Sequence, residues 1–184
     1  MERLNPKSRR DPFGSKINRD HSAMLAHSVP WVSIMLGSLA PMLPIIPPAP
    51  ILPPLGLIML LAWRLLRPGL LPLWAGLPLG LFDDLYSGQP FGFGILLFTL
   101  ILLATEIIHI RFPWPNFLHD WVTATLLLCV YIIAGAVLAG GGKADIHLQV
   151  IMPQLVLSIV LFPLAAHLVA GLDRLRLLRI RRIG

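Results

Sequence analysis

The sequence predicts an all-α integral membrane protein, a bundle of six transmembrane helices. Three observations carry that expectation. The chain is 56% hydrophobic and 13% charged, where soluble domains run at roughly 45–50% and about 25%. Its mean hydropathy is +0.77. The apolar residues fall in six runs, separated by proline, glycine and basic residues. At 184 residues this is one domain whose spans are its own core.

Residues 1–28 hold Arg3, Lys7, Arg9, Arg10, Lys16 and Arg19 among Pro, Gly, Asn and Ser, and read as a disordered basic cytoplasmic tail. Their polarity, and the lack of a small-residue cleavage site in the first apolar run, argue against a cleavable signal peptide. Residues 29–172 form the expected six-span membrane domain, and 173–184 a second basic cytoplasmic tail.

Span one covers 29–46, with Trp31 suited to the interface and Ser33, Gly37 and Ala40 or Pro41 on a small-residue face. A connection dense in proline leads to span two, 51–66, which ends at Trp63 and Arg64. Arg64 is expected to snorkel to the surface, and Arg67-Pro68-Gly69 to make the turn. Span three covers 70–86, span four 91–110, span five 119–139 and span six 148–171. Spans two and three are short of the roughly 20 residues that cross a 30 Å core, so tilting, thinning or half-crossing is expected there.

Six spans place both termini and two connections on one side. That side then holds 14 of the 15 Lys and Arg, leaving Lys143 opposite, which predicts cytoplasmic termini. The net charge of +6 and pI near 10.5 thus report orientation and attraction to anionic headgroups. No nucleic-acid partner is expected. The single cysteine, Cys129, lies in an apolar run and reads as a small hydrophobe.

The most informative stretch is 75–94. Gly76, Gly80, Asp83, Asp84 and Ser87 fall along one helix stripe. Gly76 and Gly80 form a G-x-x-x-G pair that lets a second backbone approach closely, and Pro78 between them predicts a kink. Two readings of the acids stay open. They cap the exit of the span in contact with headgroups and water, or they have a structural or functional role. Adjacent carboxylates on a helix point about 100° apart, which disfavours an acid/base pair.

Glu106 and His109 form an E-x-x-H pair near His119 and Asp120. Di-metal bundles repeat that unit and add further glutamates, so the expectation is a polar cluster tying spans four and five together, with no metal. Asp83, Glu106 and His109 are thus candidate polar-site residues. In span six, Gln154 and His167 are expected to bond to neighbouring helices. No G-x-S-x-G, H-E-x-x-H, G-x-x-x-x-G-K or S-x-x-K pattern occurs. Neither an enzyme nor a cofactor is expected.

The pattern Gly80-Leu81-x-x-Asp84-Leu85-x-x-Gly88-x-Pro90-x-Gly92 resembles the signature region of the rod shape-determining protein MreD family. The resemblance spans residues 29–172, and 80–92 is its specific part. It implies a non-enzymatic subunit of the bacterial elongation machinery in the inner membrane, with MreC as partner. Through that complex it implies links to MreB, to RodA and to RodA's class B penicillin-binding transpeptidase. Gly76, Gly80, Asp84, Gly88, Pro90 and Gly92 become helix-packing or partner-binding residues, and Asp83 has no counterpart in the pattern. The family is also similar in fold to the S-components of energy-coupling-factor transporters. That similarity implies an alternative, a small-molecule-binding membrane subunit of a transporter.

Overall fold

The computed structural model describes residues 23–42, 52–112, 116–139 and 148–176. Most of both tails, most of the proline-dense connection, and Lys143 lie outside the described residues. Within them the chain is all-helical. In order it forms α1 (Ala23–Ser38), a short 3-10 turn (Ala40–Met42), α2 (Leu55–Leu66), a second 3-10 turn (Leu73–Ala75) and α3 (Gly76–Tyr86). Then follow α4 (Phe93–Arg111), α5 (Phe117–Ala139) and α6 (Leu148–Arg176).

Among the described residues, three helices are long and apolar enough to cross a membrane: 93–111, 117–138 and 151–176. The other three are shorter. A 12-residue α2 rises only about 18 Å, against a hydrocarbon core of about 30 Å. The reason lies in its position. Nine of its residues, from Gly56 to Leu65, are buried, and α1, α4, α5 and α6 all pack against it. A helix packed on most of its sides by other helices is apolar nearly all round, and bilayer thickness does not set its length. The centre of the bundle is therefore α2.

Two ends of the bundle can be named from their contacts. The start of α1 and the end of α6 lie together, since Ser28 and Val29 share a cavity wall with Leu172. Arg67, after α2, reaches Asp173 on α6 at 2.7 Å. This is the tail end, from which both chain termini lead out. At the opposite, hairpin end, Asp84 meets the start of α4, and Gln154 donates to the Leu52 carbonyl before α2 at 2.8 Å.

Local differences from the sequence expectation have simple causes. Helix α1 begins at Ala23, six residues early, and carries Pro30 inside it; the Pro30 carbonyl accepts from the Ser33 hydroxyl at 2.9 Å. Pro78 is the third residue of α3. Its missing N–H falls in the first turn, where N–H groups lack intrahelical partners anyway, so it requires no kink. Trp63, at the end of α2, is fully buried. Its indole donates to Ser33 at 2.8 Å, and the Arg176 guanidinium lies 5.7 Å from its ring. Helix α6 runs on to Arg176 because Asp173 and Arg176 pair at 2.6 Å across one turn.

Candidate functional site

The hairpin formed by α3 and α4 is built on small residues. A β-carbon placed on Gly76 would meet the Thr99 Cα at 2.7 Å, and one on Gly80 would meet the Gly94 carbonyl oxygen and the Ile95 Cα. The close approach that the G-x-x-x-G pair predicts is thus made to α4 of the same chain. Gly94 is equally crowded from the other side, by the Gly80 oxygen at 2.8 Å.

This approach brings Asp84 onto the start of α4. Its carboxylate accepts from the backbone N–H groups of Gly92 at 2.8 Å, Gly94 at 2.6 Å and Ile95 at 3.3 Å. Those groups belong to a helix start, which has unpaired N–H donors and a positive dipole end. A carboxylate there satisfies both. Residue 92 itself is left-handed, at φ +96°, and residue 88 in the turn at φ +70°. Both are glycine because a side chain strains that conformation.

Asp83 points elsewhere. It is also buried, and accepts from the Tyr131 hydroxyl of α5 at 3.3 Å. A β-carbon on Gly56 would meet both the Asp83 Oδ1 and the buried Ser38 hydroxyl, so α1, α2, α3 and α5 meet at this carboxylate. Tyr131 packs on Phe93, with ring centroids 5.2 Å apart. The two acids diverge, as their adjacency on a helix requires. Both lie below one-tenth exposure, so neither is a water-solvated cap of the helix end.

A cavity of about 130 Å³ opens beside this cluster, lined by Gln89, Tyr131, Ile132, Gly135, Ile151 and Gln154. The sequence reading missed Tyr131 and Gln89. A phenol in the middle of an apolar run was the available signal for Tyr131, since its hydroxyl needs a partner when buried.

The tail end is arranged differently from the expectation. Glu106 ties α4 to α2, not to α5, through an ion pair with Arg64. Arg64 does not snorkel. It is 2% exposed, and it also donates to the Leu71 carbonyl at 2.8 Å. A central helix offers no path to the surface for its side chain. His109 has a buried Nε2 without a hydrogen bond among the described residues, and His119 lies 3.8 Å from Asp120. No group of three metal-ligating side chains occurs among the described residues. Arg67 and Arg176 both bind Asp173, closing the α2–α6 contact. Gln154 does bond to another segment, but His167 bonds the Pro163 carbonyl of its own helix at 2.8 Å.

Searches among curated proteins and among solved structures gave no match. The buried carboxylate at Asp84, Gly80 against α4 and the left-handed Gly88 and Gly92 fall on the Gly80–Gly92 pattern singled out from the sequence. A family model described as rod shape-determining protein MreD matches residues 23–172, and the chain belongs to that non-enzymatic family of shape-determining membrane proteins.

Proposed function

We propose that this protein is a scaffold subunit of the bacterial elongation complex that binds MreC and so supports peptidoglycan synthesis and cell-shape maintenance. The observation that carries the reading is the clamped α3–α4 hairpin. Asp84 fixes the start of α4 through three backbone N–H groups. It does so through backbone donors on α4 alone, which suits a rigid docking element. Partner binding then depends on the hairpin's shape. MreB, RodA and RodA's transpeptidase are reached through MreC. The chain sits in the inner membrane as six spans with both termini cytoplasmic, on the strength of the basic asymmetry. The short α2 makes its crossing among α1, α4, α5 and α6, and the short α3 packs along α4 with Leu77 and Leu85 exposed.

Detergent pull-down of MreC tests the reading. Gly80→Leu forces α3 and α4 apart, and Asp84→Asn weakens the clamp without adding bulk. Both are expected to insert normally and to lose MreC, whereas Leu96→Ala, at an exposed position of α4, keeps it. Wild-type retention of MreC by both hairpin variants would overturn the proposal. An impermeant thiol reagent checks orientation: Gly141→Cys in a Cys129→Ala background reacts from outside, and Ser15→Cys does not.

The cavity beside Asp83 favours a second reading, a small-molecule-binding subunit resembling the S-components. Its size weighs against that. Pockets for drug-sized ligands run at roughly 300–1,000 Å³, well above the 130 Å³ found here. Only a ligand of a few heavy atoms fits, and the scaffold remains the better reading.

A further inference from the structure

Helix α6 stands at the edge of the bundle with one side uncovered by any described residue. In its most apolar stretch 17% is buried inside the protein, against 39% in α4 and in α5. Val156, Val160, Leu164, His167, Gly171 and Arg174 follow one another at intervals of three and four, so they share one face. All of them are exposed. From Val156 to Arg174 this face runs about 27 Å along the helix, close to the full hydrocarbon thickness of about 30 Å.

One group on it does not suit lipid. Between residues 151 and 172 the polar side chains of α6 are Gln154, Ser158 and His167. Gln154 donates to the Leu52 carbonyl, and the fully buried Ser158 donates to the Gln154 carbonyl at 2.6 Å. Pro163 has no N–H for the Ile159 carbonyl, and the Trp121 indole of α5 donates to that oxygen at 3.2 Å. Only His167, of the three, is exposed. It lies about 5 Å from the midpoint of the 151–176 span, too deep for an imidazole to reach the headgroups. Ionisable side chains inside a span normally face protein or a water-filled cavity.

The hydrogen bond that His167 already makes decides what it needs. Its Nδ1 lies 2.8 Å from the Pro163 carbonyl, and a carbonyl oxygen only accepts, so Nδ1 carries the proton. In the uncharged imidazole Nε2 is then an acceptor, and it has no partner among the described residues. Acyl chains have no donor for it. A second copy of this chain, related by a two-fold axis, would bring the same acceptor to the same depth, and the neighbouring Leu164 and Gly171 have no side-chain donor. A helix of another protein meets both the length of the face and the need at Nε2. Gly171, where an added β-carbon would meet nothing of this chain within 4 Å, lets its backbone come close.

We propose that the outward face of α6, from Val156 to Arg174, docks one transmembrane helix of a different protein, which presents a hydrogen-bond donor side chain to His167 Nε2. The site rests on α6 alone, so its failure leaves the hairpin reading of MreC binding untouched.

Photo-crosslinking in intact cells tests this, with p-benzoylphenylalanine in place of Val160. The expected product is an adduct with another polypeptide. Its linked residue should map to a transmembrane segment that carries a Ser, Thr, Asn, Gln, Tyr or Trp about two helical turns away. His167→Leu should lower the adduct yield about fivefold, the size of one interhelical hydrogen bond. His167→Gln keeps an acceptor oxygen and should restore most of it. Because His167 is exposed, His167→Leu should unfold in detergent like the wild type, which separates a lost contact from a lost fold. A yield unchanged by His167→Leu overturns the proposal. So does an adduct with lipid alone, with a second copy of this chain, or with a segment that has no donor at that depth.

Discussion

At the hairpin end, Asp83 and Asp84 are buried with no ion-pair partner among the described residues; at the tail end, Arg64 is buried as deeply and is answered by Glu106. The first arrangement stabilises charge with backbone N–H groups and a phenol. The second does so with an opposite charge from a distant helix. Backbone donors are directional and cannot be exchanged by substitution, so the carboxylate specifies where the start of α4 must lie. A side-chain pair ties two helices together but can be replaced as a unit. Evolutionary freedom should therefore differ between the two ends, and stability measurements can break or sharpen that distinction.

The largest effect is expected at the tail end. Glu106→Ala leaves the Arg64 guanidinium buried without a counter-charge, and breaking such pairs costs roughly 3–5 kcal/mol. The cost here falls near about 3 kcal/mol, since Glu106 is itself 40% exposed and its charge is partly screened. Exchanging both Arg64 and Glu106 for Leu should recover most of the loss, because a buried pair is often no better than apolar packing. Unfolding in detergent reads this. A double variant no more stable than Glu106→Ala would remove the contrast.

Next comes the helix crossing. Gly80→Ala drives a β-carbon into the Gly94 oxygen and Ile95 Cα, and overpacking costs roughly 1–3 kcal/mol. The upper part of that range applies, since both obstacles are backbone. Gly171→Ala on α6 meets nothing within 4 Å and should be neutral or stabilise by up to about 1 kcal/mol. Similar destabilisation by the two changes would show that helix propensity, and not close approach, sets the role of Gly80.

The smallest effect separates the two acids. Asn at 84 keeps one acceptor oxygen and turns an amide donor toward the N–H groups, losing about 1.5–3 kcal/mol of charge-assisted bonding. Asn at 83 still accepts from Tyr131 and should lose only about 0.5–1.5 kcal/mol. Asp84→Asn should also disturb cell elongation more than Asp83→Asn at equal protein abundance. Normal cell shape in both variants would confine Asp84 to local capping.

Much of this protein was legible along the chain. Hydrophobic runs of fixed length, broken by Pro, Gly and Arg, give helices by periodicity alone, and the ends of α4, α5 and α6 fall within a few residues of expectation. The Gly76/Gly80 spacing announced a close crossing, since a missing side chain is a local property. Gly88 and Gly92 stand in the quoted pattern, but their positive φ values, and so their place in the turn, belong to the structure. What neighbours a residue is not local. Arg64 at the end of an apolar run reads as a snorkelling side chain, and only the ring of helices around α2 removes its route to the surface. Glu106 follows, paired across to α2 because the buried guanidinium needs a counter-charge there. Asp83 gains its role from Tyr131, 48 positions away. The sequence by itself determined the helices, the small-residue crossing and the membrane class, all set by side chains within a few residues of each other. Which helix is central, and which charge answers which, was decided only in the tertiary structure, where burial turns a side chain's need for a partner into a long-range constraint.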